Sequence, residues 1–180
     1  STLDWTFRTR LTSELLEELA RSDSPQVAEA ILTVLEERRD PTALEPLQRL
    51  LVEGADPVFQ GRLITTLTVL GSAQTAQWLE LFAGEHPGVS EADDALRLQA
   101  LAAAAWLSSD PARTELRDPP VILAKALAAF EQARGEPLTP AQLDAASQMP
   151  RGWIERLAAR LQALARLKRT GPLTPHRIAA

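Results

Sequence analysis

Cysteine and tyrosine are both absent from this chain, methionine occurs once, and aromatic residues make up 4% of it. Without cysteine there is no disulfide and no thiolate metal site, which suits the cytoplasm. No apolar run approaches the ~20 residues that a membrane-spanning helix needs. Nor does a charged stretch followed by an apolar one open the chain, as a secretory signal would. The expectation is a soluble, cytoplasmic protein with no membrane role.

Chemistry-bearing patterns are scarce too. The two histidines, His86 and His176, have no partner at ligand or acid–base spacing. Asp93 and Asp94 are adjacent, so on a helix their carboxylates diverge; a favourable position near a helix N-terminus explains them. There is no Gly-rich phosphate loop, metal motif or nucleophile elbow. The sequence supplies no catalytic residue and calls for no cofactor and no metal.

What is present is alanine, leucine and a period. Hydrophobic residues form 45% of the 180, and alanine and leucine, which lose little side-chain freedom in a helix, dominate them. The stretch "SPQVAEAILTVLEERRDPTALEPLQRLL" from Ser24 overlays "DPVFQGRLITTLTVLGSAQTAQWLELF" from Asp56 at an offset of 32 residues. Pro25 then falls on Pro57, Val27 on Phe59, Ile31 on Leu63, Leu32 on Ile64, Leu35 on Leu67, Leu47 on Leu79 and Leu50 on Phe82. A fixed period of this size marks stacked supersecondary units that bury a continuous core only together.

The punctuation supports helices. Ser24-Pro25, Asp40-Pro41 and Asp56-Pro57 each pair an N-cap with proline at the first helical position. Helices are expected over 25–38, after 41 to the stop at Gly54 (with Pro46 bending or delaying its start), from 57 to the terminator Gly71, and over 74–83. An earlier helix over 9–21, with Leu11, Leu15, Leu16 and Leu19 inward, would cap the array, with Trp5 and Phe7 either stapling its start or starting it earlier. Ser90 with Asp93 reads as a capping box opening a long helix through Leu96, Leu101 and Trp106. Asp110-Pro111 repeats the start signal, although the apolar spacing after it is poor. The Glu36–Arg39 charge cluster reads as a solvated helix end in preference to a contact patch, and Trp78 and Trp106 as core.

These residues resemble the short HEAT-like repeats of bacterial proteins related to phycobilisome lyases. The resemblance spans residues 24–116: two repeats over Ser24–Phe82 and a looser third over Ser90–Leu116. It departs from the pattern in Gly61, inside a helix, and in a missing basic residue early in the first helix. It implies an all-α fold, a right-handed α-α superhelix (a HEAT-like solenoid of ARM type) with a C-terminal helical extension. It carries no implication of chromophore chemistry here.

Charge divides the chain. Residues 1–118 hold 10 Lys/Arg against 20 Asp/Glu, whereas residues 119–180 hold 9 against 4. Asp118-Pro119-Pro120 marks the boundary between a repeat region, 1–118, and a basic helical C-terminal region, 119–180. In the latter "PLTP" occurs at Pro137–Pro140 and again at Pro172–Pro175. Leu143, Met149, Ile154 and Leu157 resemble the apolar positions of a helix-turn-helix over 138–160, with its turn at Gln148–Gly152. Asp144, Ser147 and Gln148 depart from that pattern.

The candidate nucleic-acid or partner-binding residues are Arg151, Trp153, Arg156, Arg160, Arg166, Lys168 and Arg169. The basic helix could lie in a major groove, or pack as an outer helix complementing the acidic body, with Trp153 between helices. The start at Ser1 without methionine, and the end in "PLTPHRIAA" where a helix is beginning, are what a piece of a longer bacterial protein would show. Three functional readings follow: a non-catalytic scaffold binding a protein partner, a DNA-binding regulator using the basic end, and a base-excision enzyme.

Overall fold

The computed structural model describes residues 6–170, with side chains to Leu167. Every regular element among them is helical. The α-helices are α1 (Thr12–Arg21), α2 (Pro25–Arg38), α3 (Leu44–Glu53), α4 (Pro57–Leu70), α5 (Ala73–Glu85), α6 (Glu91–Ser108), α7 (Pro119–Arg134) and α8 (Pro140–Thr170). Short 3-10 helices at Pro41–Ala43 and Thr114–Arg117 precede α3 and α7.

The 32-residue offset is exact between α2 and α4, which are both 14 residues long and both begin at a proline. Both are capped by a side-chain oxygen at the equivalent position: the Ser24 hydroxyl accepts from the Val27 N–H three residues on, and the Asp56 carboxylate from the Val58 N–H two residues on. Each thereby satisfies one of the amide donors that a helix start leaves without a partner. Asp40 caps the 3-10 turn in the same way through the Thr42 N–H. That turn delays the α-helix to Leu44, so Pro46 sits third in α3, where its missing N–H costs no hydrogen bond. Ser90 and Asp93 form a reciprocal capping box at α6.

Burial follows the repeat. Ile31, Leu32, Leu35 and their counterparts Leu63, Ile64 and Leu67 are all fully buried, as are Leu47 and Leu79. The first helices of successive units, α2, α4 and α6, pack in series, while α3 packs on α4 and α5 on α6. An α-helical solenoid results, each unit leaning on the next. Gly61 stands where α4 meets α6: a Cβ there would lie 2.8 Å from Gln99 Oε1. The in-helix glycine thus serves a close helix approach.

Some expectations are corrected. Residues 6–8 form a short helical turn, followed by a turn that the Arg10 N–H closes on the Phe7 carbonyl, and the helix expected from Thr9 starts at Thr12. Leu11 is therefore the N-cap residue, 66% exposed, and not part of the inward stripe. Phe7 is buried, and Trp5 lies outside the described residues. Asp110-Pro111 opens no α-helix; Asp110 caps a turn through the Ala112 N–H, and a 3-10 helix follows. Few apolar residues were there to bury a helix face, and the next helix along the chain to pack on α6 is instead α7.

The turn expected at Gln148–Gly152 is not formed. Helix α8 runs unbroken through it, with Pro150 inside. Gly152 does not take the left-handed backbone that a turn glycine supplies, and the flanking alanines and leucines favour helix. Of the four apolar positions in the helix-turn-helix pattern, Ile154 and Leu157 are buried, but Leu143 and Met149 are 40% and 58% exposed. The core is continuous from Leu15 to Leu164, across Asp118.

Two substitutions test this construction. Asp56→Ala, removing one cap, is expected to cost about 1 kcal/mol; Leu67→Ala, opening the core between α2 and α4, about 2–5 kcal/mol. Urea unfolding of both variants measures the difference.

Candidate interaction site

Glu36 is the side chain the sequence places worst. It follows Leu32 by one helical step, so α2 turns it inward with the apolar stripe, and it is 0% exposed. A buried carboxylate without counter-charge would be prohibitive. Arg62 of α4 supplies one at 2.8 Å and Arg160 of α8 a second at 3.4 Å. Burial pushes the Glu36 carboxyl above the usual range, and Arg62 and then Arg160 pull it back. Burial would lower Arg62, but Glu36 and Glu29 hold it above its ordinary value. Arg62 also makes a two-pronged contact with Glu29, at 2.6 and 3.1 Å.

The rest of the supposed solvated cluster is committed as well. Glu37 pairs with Arg8 at 2.9 Å. Arg38 donates to the backbone carbonyls of Arg8 and Phe7. Arg39 closes α2 with a left-handed backbone, φ 51°, and is the cluster's exposed member. The cluster reads as solvated in sequence because charge outweighs register. The buried neighbours Leu32 and Leu35 are the signal that could have corrected it.

The candidate residues of α8 fall into separate environments. Trp153 is 4% exposed, and its indole N–H donates to the Thr65 hydroxyl on α4 at 2.8 Å. No face of that ring is open to a nucleobase. Arg160 is drawn inward to Glu36. Arg151, Arg156 and Arg166 are exposed, and the side chains of Lys168 and Arg169 lie outside the described residues. Trp153 and Arg160 therefore do not share one open surface with Arg151, Arg156 and Arg166.

A different place has the form of a binding surface. Helices α3 and α5 stay apart, and the space between them is a groove of about 660 Å³. Leu44 and Val52 from α3 and Trp78 from α5 line it, with Glu45, Arg49 and Glu53 among the polar lining residues. Trp78, expected in the core, is half-buried; its ring stacks on Phe82 at 5.7 Å and so keeps a fixed orientation. Val52 is 64% exposed. Only packing between repeats reveals this surface, because Trp78 sits at a helical spacing that suits a core position equally well.

A third cluster ties down the loop before α6. His86 and Asp93 meet at 3.1 Å, a pairing their sequence separation did not suggest. Hydrogen bonds from Ser90 and then His86 hold the Asp93 carboxyl below its ordinary value. Arg97 donates to the carbonyls of His86 and Gly88 and pairs with Asp94. Gly88, at φ 109°, carries the chain close over Asp93, where a Cβ would collide with the carboxylate. Every one of these groups is occupied in holding the loop. Among the described residues, no three His, Asp or Glu side chains are grouped to hold a metal ion, and no helix is long and apolar enough to cross a membrane.

Comparison with known families agrees with the architecture. The family model described as HEAT repeats matches residues 12–92. Those residues are HEAT-like helical repeats, running from α1, the helix expected as a cap, to the first turn of α6. No curated protein and no solved structure matches the chain.

The buried triad makes a measurable prediction. Glu36→Ala strands Arg160 and half of Arg62's pairing, and should cost about 3–5 kcal/mol in urea unfolding. Because the folded carboxyl is raised, the folded state holds its proton to higher pH than the unfolded chain does. The Glu36 contribution to stability should therefore fall as pH rises from the ordinary glutamate range through the raised value, then level off. In Glu36→Gln this part of the pH dependence should be absent.

Proposed function

We propose that this chain is a non-catalytic helical-repeat module that binds a protein partner, as a scaffold within a larger or multi-component system. The observation carrying this reading is the groove between α3 and α5, where Trp78 is held by Phe82 beside the exposed Val52. An aromatic side chain pre-ordered at the edge of an open groove is the usual anchor of a protein contact. HEAT repeats in general mediate such contacts, and a repeat array offers an extended surface without needing a catalytic constellation.

The environments of Trp153 and Arg160 weigh against reading α8 as a recognition helix, because one is buried and the other engaged. A base-excision activity would need a basic groove, and the repeat region is acidic.

A photo-reactive residue installed at Val52 should cross-link a discrete protein species, competed by the unlabelled chain but not by a Trp78→Ala chain. The same residue at Glu17, on α1, should not. Turnover of a small molecule at a mapped residue cluster would overturn the reading. Duplex DNA at low ionic strength should give no saturable anisotropy change; affinity that falls on neutralising Arg151 and Arg156 would restore the DNA-binding alternative.

A further inference from the structure

The charges of this solenoid are balanced unevenly between its helices. Around α2, α4 and α6 the arginines are spent within the chain: Arg8 on Glu37, Arg62 on Glu29 and Glu36, Arg97 on Asp94. Helix α8 also lies over this part through Trp153 and Arg160. Helices α3 and α5 differ. They carry Glu45, Glu53, Glu80 and Glu85 against the single base Arg49, and all five are exposed. None of the five makes an ion pair among the described residues. Glu45 and Glu53 line the groove itself, one helical step to either side of Arg49. Leu81, 63% exposed, lies one turn from Trp78 on α5.

We propose that this groove receives a basic amphipathic helix from a partner protein. Its apolar stripe enters beside Trp78 and Val52, and its lysines or arginines reach Glu45 and Glu53. The inference rests on the interaction-module reading and adds the chemistry of the partner. A groove bounded by two helices suits a helix that presents anchors at successive turns. Carboxylates around an apolar centre favour a cationic partner and reject an anionic one, which affects encounter rate and selectivity more than raw affinity. The excess of acid over residues 1–118 extends the same field beyond the groove.

The test uses the full chain and two labelled probes: a helical Lys/Leu/Ala peptide and its counterpart with glutamate at every lysine, followed by fluorescence anisotropy. The lysine peptide should bind and the glutamate peptide should not. Val52→Ser, at an exposed position that leaves folding intact, and the Glu45→Gln/Glu53→Gln pair should each weaken binding about tenfold, or about 1.4 kcal/mol. The control pair Glu14→Gln/Glu17→Gln, exposed on α1, should leave affinity unchanged.

Equal losses in the control pair would reduce the effect to diffuse attraction and overturn the proposal. Binding of the glutamate peptide that still depends on Val52 would overturn the basic partner and leave the interaction module standing. If neither peptide depends on Val52 and the cross-linking at Val52 is also empty, both readings fall. A concentration-dependent dimer in sedimentation, abolished by Val52→Ser, would make the occupant a second copy of this chain and overturn the proposal as well.

Discussion

The Glu36 carboxylate, closed off from solvent between Arg62 and Arg160, is the constraint on which the arrangement of the helices depends. Its three members come from α2, α4 and α8, two successive repeat units and the long C-terminal helix. A buried charge tolerates little displacement of its partners, because each lost contact leaves an uncompensated ion in a low-dielectric interior. Hydrophobic burial is non-directional and would let α8 slide along the array. The ion triad and the Trp153–Thr65 hydrogen bond are directional, and they select one register.

That register decides which surfaces are left. With α8 lying against α2, α4 and α6, the array is covered there and its charges are satisfied within the chain. Among the described residues, the part made by α3 and α5 receives no such cover. Its groove, with Trp78 stacked on Phe82, keeps both apolar contact area and carboxylates without ion-pair partners among the described residues. The basic character of the C-terminal third is consistent with this division, since one of its arginines completes the interior of the acidic region.

Much of the architecture is legible in the residues. Ser24 and Asp56 ahead of proline locate the starts of α2 and α4 to the residue, and Asp40 the 3-10 turn that leads into α3, because a cap is local chemistry that needs no neighbour. The apolar stripe of α2 and its copy in α4 locate the core at the 32-residue offset, because helical geometry fixes which side chains share a face. The match of residues 12–92 to HEAT repeats covers the same units. Where local signals compete, sequence reading fails. Pro150 and Gly152 suggest a turn, yet packing of Ile154 and Leu157 and the helical preference of their neighbours carry α8 through. Asp110-Pro111 suggests a helix but lacks the apolar face that would hold one.

The sequence by itself determined the class: helices with capped starts, a repeat period, and, without cysteine, no disulfide. It could do so because caps, periodicity and composition act within a few turns of one chain segment. Only the tertiary structure decided that Glu36 is interior, that Arg160 and Trp153 face inward, and that Trp78 borders an open groove. Each of those depends on partners 26 to 124 residues away or on the gap between two helices, and no local pattern encodes which charges will find each other across that distance.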